Sequence, residues 1–155
     1  GGDRSGVTAP AVSNGTRAET SMSLRENRRG GMRIALIAHD DEKPEMIAFA
    51  NEHEEILAEH DLIATGTTGG RLNDETDLEV TPLESGPLGG DLMIGSAVAN
   101  DACDAVFFFR DPMTAQPHEP DITALLRICD VRDVPLATNR SSATALLCGL
   151  DAAVE

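Results

Sequence analysis

The chain has 155 residues and a formal net charge of −15, from 12 basic and 27 acidic side chains. That length supports one domain with a real hydrophobic core and is short for two, and the charge makes nucleic acid and anionic membrane poor partners. No apolar run approaches the roughly 20 residues of a membrane-crossing helix and no charged-apolar-small leader opens the chain, so a soluble cytoplasmic protein is expected.

Apolar residues make up 41% but aromatics only 3%, with no Trp or Tyr. A core of Leu, Ile, Val, Ala and Met suits a buried sheet flanked by helices. Residues 1–31, rich in Gly, Ser, Thr, Asn and Arg, show no apolar period and are expected to be disordered. This leader holds five Arg against Asp3, Glu19 and Glu26, which is +2, and leaves 7 basic against 24 acidic residues, or −17, for the rest. The composition changes at Met32, so the domain is assigned to 32–155.

RIALIA (33–38) reads as a buried strand, and Met46, Ala50, His53 and Leu57 then recur at helical spacing. DLIATG is a second strand and the alternating LEVTPL a third. DLMIGSAVAN is a helix, and DAVFFF (104–109) is a strand continuous enough to be covered on both faces. Ile122, Leu125, Leu126 and Cys129 mark a helix face, VPLATN is a fifth strand, and SSATALLCGL opens with serines suited to an N-cap and closes near Gly149. Strands and helices alternating through short links predict right-handed crossovers, hence a single doubly wound α/β domain whose five-stranded sheet is mostly parallel, with helices on both faces. Cys103, Cys129 and Cys148 form no Cys-x-x-Cys pair and read as buried reduced thiols.

In such sheets ligands bind beyond the carboxyl ends of the strands, and a polar cluster follows each strand: HDDEK, TGTTGG, SGPLGGD, RDPMTAQPHEPD and TNRSS. TGTTGG (65–70) offers backbone amides and threonine hydroxyls to an anion, phosphate above all. It lacks the order of a Walker loop, and no Gly-x-Gly-x-x-Gly follows the first strand. HDDEK places His39 and Lys43 four residues apart on one side of an incipient helix. The same segment can be read as His39, Asp40 and Asp41 collecting a metal, though no second ligand set is evident. Asp111, His118 and Asp121 lie on a proline-stiffened loop, where an imidazole could polarise a carbonyl or shuttle a proton beside carboxylates.

ALIAHDDEK, ATGTTGG, SGPLGGD, FFFRDPMTAQPHEPD and PLATN, in this order and spacing over residues 33 to about 148, resemble the methylglyoxal synthase family. The resemblance implies conversion of dihydroxyacetone phosphate to methylglyoxal and inorganic phosphate, without metal or organic cofactor, in a homohexamer. It assigns Asp91 as the catalytic base, His118 as the donor that stabilises developing charge, and Asp121 and Asp111 to acidic positions lining the same site. Substrate contacts carried over by motif are His39, Lys43, Thr65, Gly66, Thr67, Thr68, Ser85, Gly86 and His118. Longer family members add a C-terminal arginine that reaches phosphate; Arg110 and Arg140 are candidate substitutes by their place along the rim. The alternatives are a ligand-sensing regulatory domain of the carbamoyl phosphate synthetase type, which needs no Asp91 with His118, and an inosine monophosphate cyclohydrolase domain.

Eleven of the 12 basic residues are arginine, so Lys43 is the only lysine. An acidic, lysine-poor composition is that of proteins from salt-loving organisms, in which salt screens self-repulsion and the repulsion of an anionic substrate. Turnover is therefore expected to rise with salt in initial-rate assays; a rate highest in dilute buffer would overturn the haloadaptation reading.

Overall fold

Two uninterrupted apolar stretches organise the architecture. In the computed structural model, which describes residues 31–154, RIALIA forms strand β1 (Arg33–Ala38) and AVFFF forms strand β4 (Ala105–Phe109), with every residue of both buried. Strands buried on both faces read as continuous apolar runs, because neither face can be polar. β1 is central and pairs in parallel with β4 on one side and with β2 (Asp61–Ala64) on the other. The short strands β3 (Val80–Pro82) and β5 (Leu136–Ala137) close the edges, giving the order β3-β2-β1-β4-β5, all parallel. The expected single α/β domain with five strands is thus the observed one. Apart from Gly31, the expected leader lies outside the described residues.

Side chains alternate across the sheet, and two separate cores result. Ile34, Leu36, Phe107 and Phe109 point to one face, where they meet Met46, Phe49, Leu72 and Leu147 of α1 (Lys43–Glu52), α3 (Gly66–Glu75) and α6 (Arg140–Val154), and Leu57 of the one-turn α2 (Glu54–Leu57). Ala35, Ile37, Val106 and Phe108 point to the other, under Ile94, Val98, Ile122, Leu125 and Cys129 of α4 (Gly90–Ala99) and α5 (Glu119–Arg132). Phe49 packs edge-on against Phe107 and Phe109, with centroids 5.7 and 5.6 Å away, a favoured aromatic geometry that compensates for the scarcity of large rings. No helix among the described residues is long and apolar enough to cross a membrane.

Five local expectations change. The helix through Met46, Ala50, His53 and Leu57 breaks at His53, whose φ of −114° and ψ of 29° leave the helical region. TGTTGG is the start of helix α3 rather than a loop. The last helix begins at Arg140, capped by Asn139, whose Oδ1 accepts the Ser142 N–H at 2.9 Å, so the cap is not a serine. It also runs through Gly149 to Val154: one interior glycine costs about 1 kcal/mol, too little to stop a helix anchored by buried Leu147 and Leu150. Of the cysteines, Cys103 and Cys129 are buried, with burial pushing their thiols up to about 12 and about 11, whereas Cys148 is exposed.

The opposite end of the sheet from the polar clusters is stitched by a charge. Arg33 has no exposed surface. Its Nε donates to Asp61 Oδ2 at 2.7 Å, its Nη1 to the Ala102 carbonyl at 3.3 Å, and its main-chain N–H to Asp104 Oδ2 at 2.8 Å. One side chain thereby fixes the starts of β1 and β2 and the approach to β4. Arg33→Ala strands the Asp61 carboxylate, whose side chain is 14% exposed, and is expected to cost about 3 kcal/mol, measurable as a lower midpoint in urea unfolding.

Candidate active site

Parallel strands deliver all their carboxyl ends to one rim. There, a cavity of about 80 Å³ is lined by His39, Asp40, Lys43, Thr65, Thr67, Ser85, Gly86, Pro87, Asp91, Gln116 and His118, over a floor of Ile37 and Ala38. Four of the five polar clusters meet in it. TNRSS does not; with Arg110, Asp111, Thr114 and Glu119 it lines a larger neighbouring cavity of about 660 Å³.

SGPLGGD is built around Asp91. Ser85 and a 3-10 turn (Gly86–Leu88) lead into Gly89, whose φ of 102° is the left-handed conformation that favours glycine. The chain then enters α4, and Asp91 lies in its first turn without exposed surface. Oδ2 of Asp91 is 3.3 Å from His118 Nε2, and neither carboxylate oxygen has a hydrogen bond. A Cβ at Gly86 would stand 2.8 Å from that same Nε2 and 3.4 Å from Asp91 Oδ1. The first glycine of the motif thus makes the room in which base and imidazole meet.

Burial holds the Asp91 carboxyl above the ordinary aspartate value; His118 opposes this and Asp121 adds to it. The N-terminus of α4 favours the ionised form, so two influences compete and burial prevails. The outcome is a carboxylate with raised proton affinity, as a general base needs.

His39 leaves β1 with its main-chain N–H donating to the Phe109 carbonyl at 3.1 Å, and its Nδ1 accepts the Asp111 N–H at 2.9 Å. A ring nitrogen that accepts carries no proton, so the neutral ring holds its hydrogen on Nε2, which is buried and unpaired. Burial, then His118, then Arg110, lower its pKa. His39 is therefore a neutral hydrogen-bond donor, its centroid 6.1 Å from that of His118.

The anion end is formed by α3 and Lys43. Thr65 precedes the helix and makes no side-chain capping bond, and Thr67 and Thr68 belong to the first turn, whose amides have no intrahelical acceptor. Such a terminus attracts phosphate. Lys43 is largely buried, and its ammonium contacts Asp40 Oδ1. Among the described residues, no group of three or more His, Cys, Asp or Glu side chains is placed to hold a metal.

Other expected residues take different places. Thr68 Oγ1 turns to the Ala38 carbonyl at 3.4 Å, and neither Thr68 nor Gly66 lines the cavity. Asp121 does not line it either; it acts on Asp91 through its charge. Asp111 contributes its amide to His39, while its carboxylate accepts the Met113 N–H at 2.9 Å. Arg140 is committed to Glu45 and Glu52 at 3.0 and 2.6 Å, joining α6 to α1, and Arg110 lines the larger cavity, so neither replaces a phosphate ligand in the smaller one. Pro87 and Gln116 were missed: only the fold carries them to the rim, and nothing in their spacing singles them out.

The MGS-like domain family matches residues 45–138. The chain is 63% identical over 112 residues to "Methylglyoxal synthase" of Acholeplasma laidlawii, covering 72% of this chain and 92% of that protein. It is 60% identical over 119 residues to "Methylglyoxal synthase" of Lysinibacillus sphaericus, covering 77% and 89%. The crystal structure of methylglyoxal synthase from Elizabethkingia anophelis superposes with a TM-score of 0.72 at 42% identity, covering 77% of this chain and 78% of the other.

Because the folded carboxyl of Asp91 titrates above its unfolded value, ionising it at neutral pH works against folding. Asp91→Asn is therefore expected to raise thermal stability at pH 7 relative to the wild type. The gain should shrink as pH falls through the raised value and vanish below the ordinary aspartate value of 3.8; a variant less stable at pH 7 would contradict the burial account.

Proposed function

The chain belongs to the methylglyoxal synthase family, and we propose that it converts dihydroxyacetone phosphate to methylglyoxal and inorganic phosphate in the cavity around Asp91. The observation that carries this is a fully buried carboxylate of raised proton affinity touching an imidazole, in one small cavity with a helix N-terminus and the only lysine.

Asp91 takes the proton from the hydroxymethyl carbon beside the ketone. The electron pair moves onto the ketone oxygen, giving an enediolate whose charge is met by His118 and by Nε2–H of His39. A proton then passes from the hydroxymethyl oxygen to the former ketone oxygen. The pair left on the hydroxymethyl oxygen forms the aldehyde C=O, the double bond shifts toward the phosphate-bearing carbon, and the carbon–oxygen bond to phosphate breaks, phosphate leaving with that bond's electrons. Lys43, the hydroxyls of Thr65, Thr67 and Ser85, and the free amides of α3 compensate the charge on the departing group. The remaining enol takes a proton at its terminal carbon and becomes methylglyoxal. Each step is a proton transfer or an elimination, and none requires a redox group.

A ligand-sensing domain would use the anion end alone and would have no task for a carboxylate buried at a cost to stability. A cytoplasmic homohexamer is part of the same reading. Leu88 and Leu92, 71% and 44% exposed and four residues apart where α4 begins, supply apolar surface for contact between copies.

The test is incubation with dihydroxyacetone phosphate, with methylglyoxal and phosphate both measured. Equal amounts of the two are expected from the wild type, with kcat lower by about 10³-fold in Asp91→Asn. Lys43→Ala should weaken binding and phosphate release together. No product above the Asp91→Asn control would sink the proposal.

A further inference from the structure

Gln116 lines the catalytic cavity, yet no step above uses it. Its main chain is clamped to the start of α5: its N–H donates to Glu119 Oε2 at 3.1 Å, and its carbonyl accepts the Glu119 N–H at 3.3 Å. Its side-chain Nε2 donates to the Thr114 carbonyl at 3.2 Å. That bond fixes the orientation of the amide, because a flipped amide would set two carbonyl oxygens against each other. Oε1 is the end turned away from Thr114.

The substrate of the proposed reaction carries a phosphate, a ketone and a hydroxymethyl group. Lys43 and the α3 terminus hold the first, and the histidines donate to the second. The hydroxymethyl O–H is a donor and needs an acceptor. Asp91 must keep a lone pair for the carbon-bound proton, and the Asp40 carboxylate is engaged by Lys43. Of the loop that carries His118, only Gln116 and His118 line the cavity, and Gln116 Oε1 is an acceptor that is neutral and adds no repulsion toward a dianion.

We propose that Gln116 binds the hydroxymethyl end of the substrate through Oε1 and thereby determines which triose phosphate reacts. Holding that oxygen restricts rotation about the bond between the hydroxymethyl and ketone carbons, which keeps the reacting C–H directed at Asp91. The inference rests on the function proposed above.

Its test compares the wild type with Gln116→Met, which keeps the length and removes the acceptor. Two quantities are measured: kcat/KM for dihydroxyacetone phosphate, and the dissociation constant of inorganic phosphate by titration calorimetry. The expected result is a fall in kcat/KM of about tenfold, the scale of one hydrogen bond, with phosphate affinity changed less than about twofold. Unchanged kcat/KM would overturn the proposal. So would phosphate affinity falling as far as kcat/KM, since Gln116 would then be only a brace for the loop through Thr114. A wild type that forms no methylglyoxal removes both readings, whereas an active wild type with an unaffected variant removes this one alone.

Discussion

The contact between Asp91 and His118 is the constraint on which the rest of the rim depends. A carboxylate without exposed surface or hydrogen bond is costly to bury, and it persists because its position is over-determined. Gly89 turns the chain into α4, Gly86 leaves the volume where the imidazole tip enters, and α5 brings His118 to it. Losing either the turn or the empty volume would separate the two groups. The motif thus trades stability for a base of raised proton affinity.

The sheet supplies the rigidity. The central strands β1 and β4 are pinned at one end by Arg33 with Asp61 and Asp104, and they are covered on both faces by independent cores. At their other end, the ladder runs one step beyond β1, so that the His39 amide bonds to Phe109 and the Asp111 amide bonds to the His39 ring. A backbone amide thereby sets the tautomer of a side chain. That arrangement is insensitive to the side chain at 111, and it orients the Nε2 donor without a second carboxylate.

Charge is distributed to suit this purpose. In a chain with a formal net charge of −15, the one lysine is drawn into the rim, next to a helix terminus that has no acidic residue in its first turn. The arginines nearby are used otherwise: Arg140 docks one helix on another, and Arg110 faces the larger cavity and helps keep His39 neutral.

The α/β order, the five parallel strands and the rim at which polar clusters gather were legible in the sequence, because continuous apolar runs and helical spacing are local consequences of burial. The place of His39, Lys43 and His118 in the cavity was legible from polar clusters that follow strands, and that of Asp91 and Ser85 through the family resemblance. Local pattern could not show that Thr68 would turn to the Ala38 carbonyl, that Asp121 would act at a distance, or that Arg140 would be occupied by Glu45 and Glu52. Those outcomes depend on which groups distant in sequence become neighbours. The same holds for TGTTGG: its glycines argue against a helix, but packing through Thr68, Gly69 and Leu72 overrides that weak preference. By itself the sequence determined that the polar clusters would gather at one rim. Only the tertiary structure decided which of their residues share one cavity, because burial, tautomer and ion pairing are properties of neighbours in space.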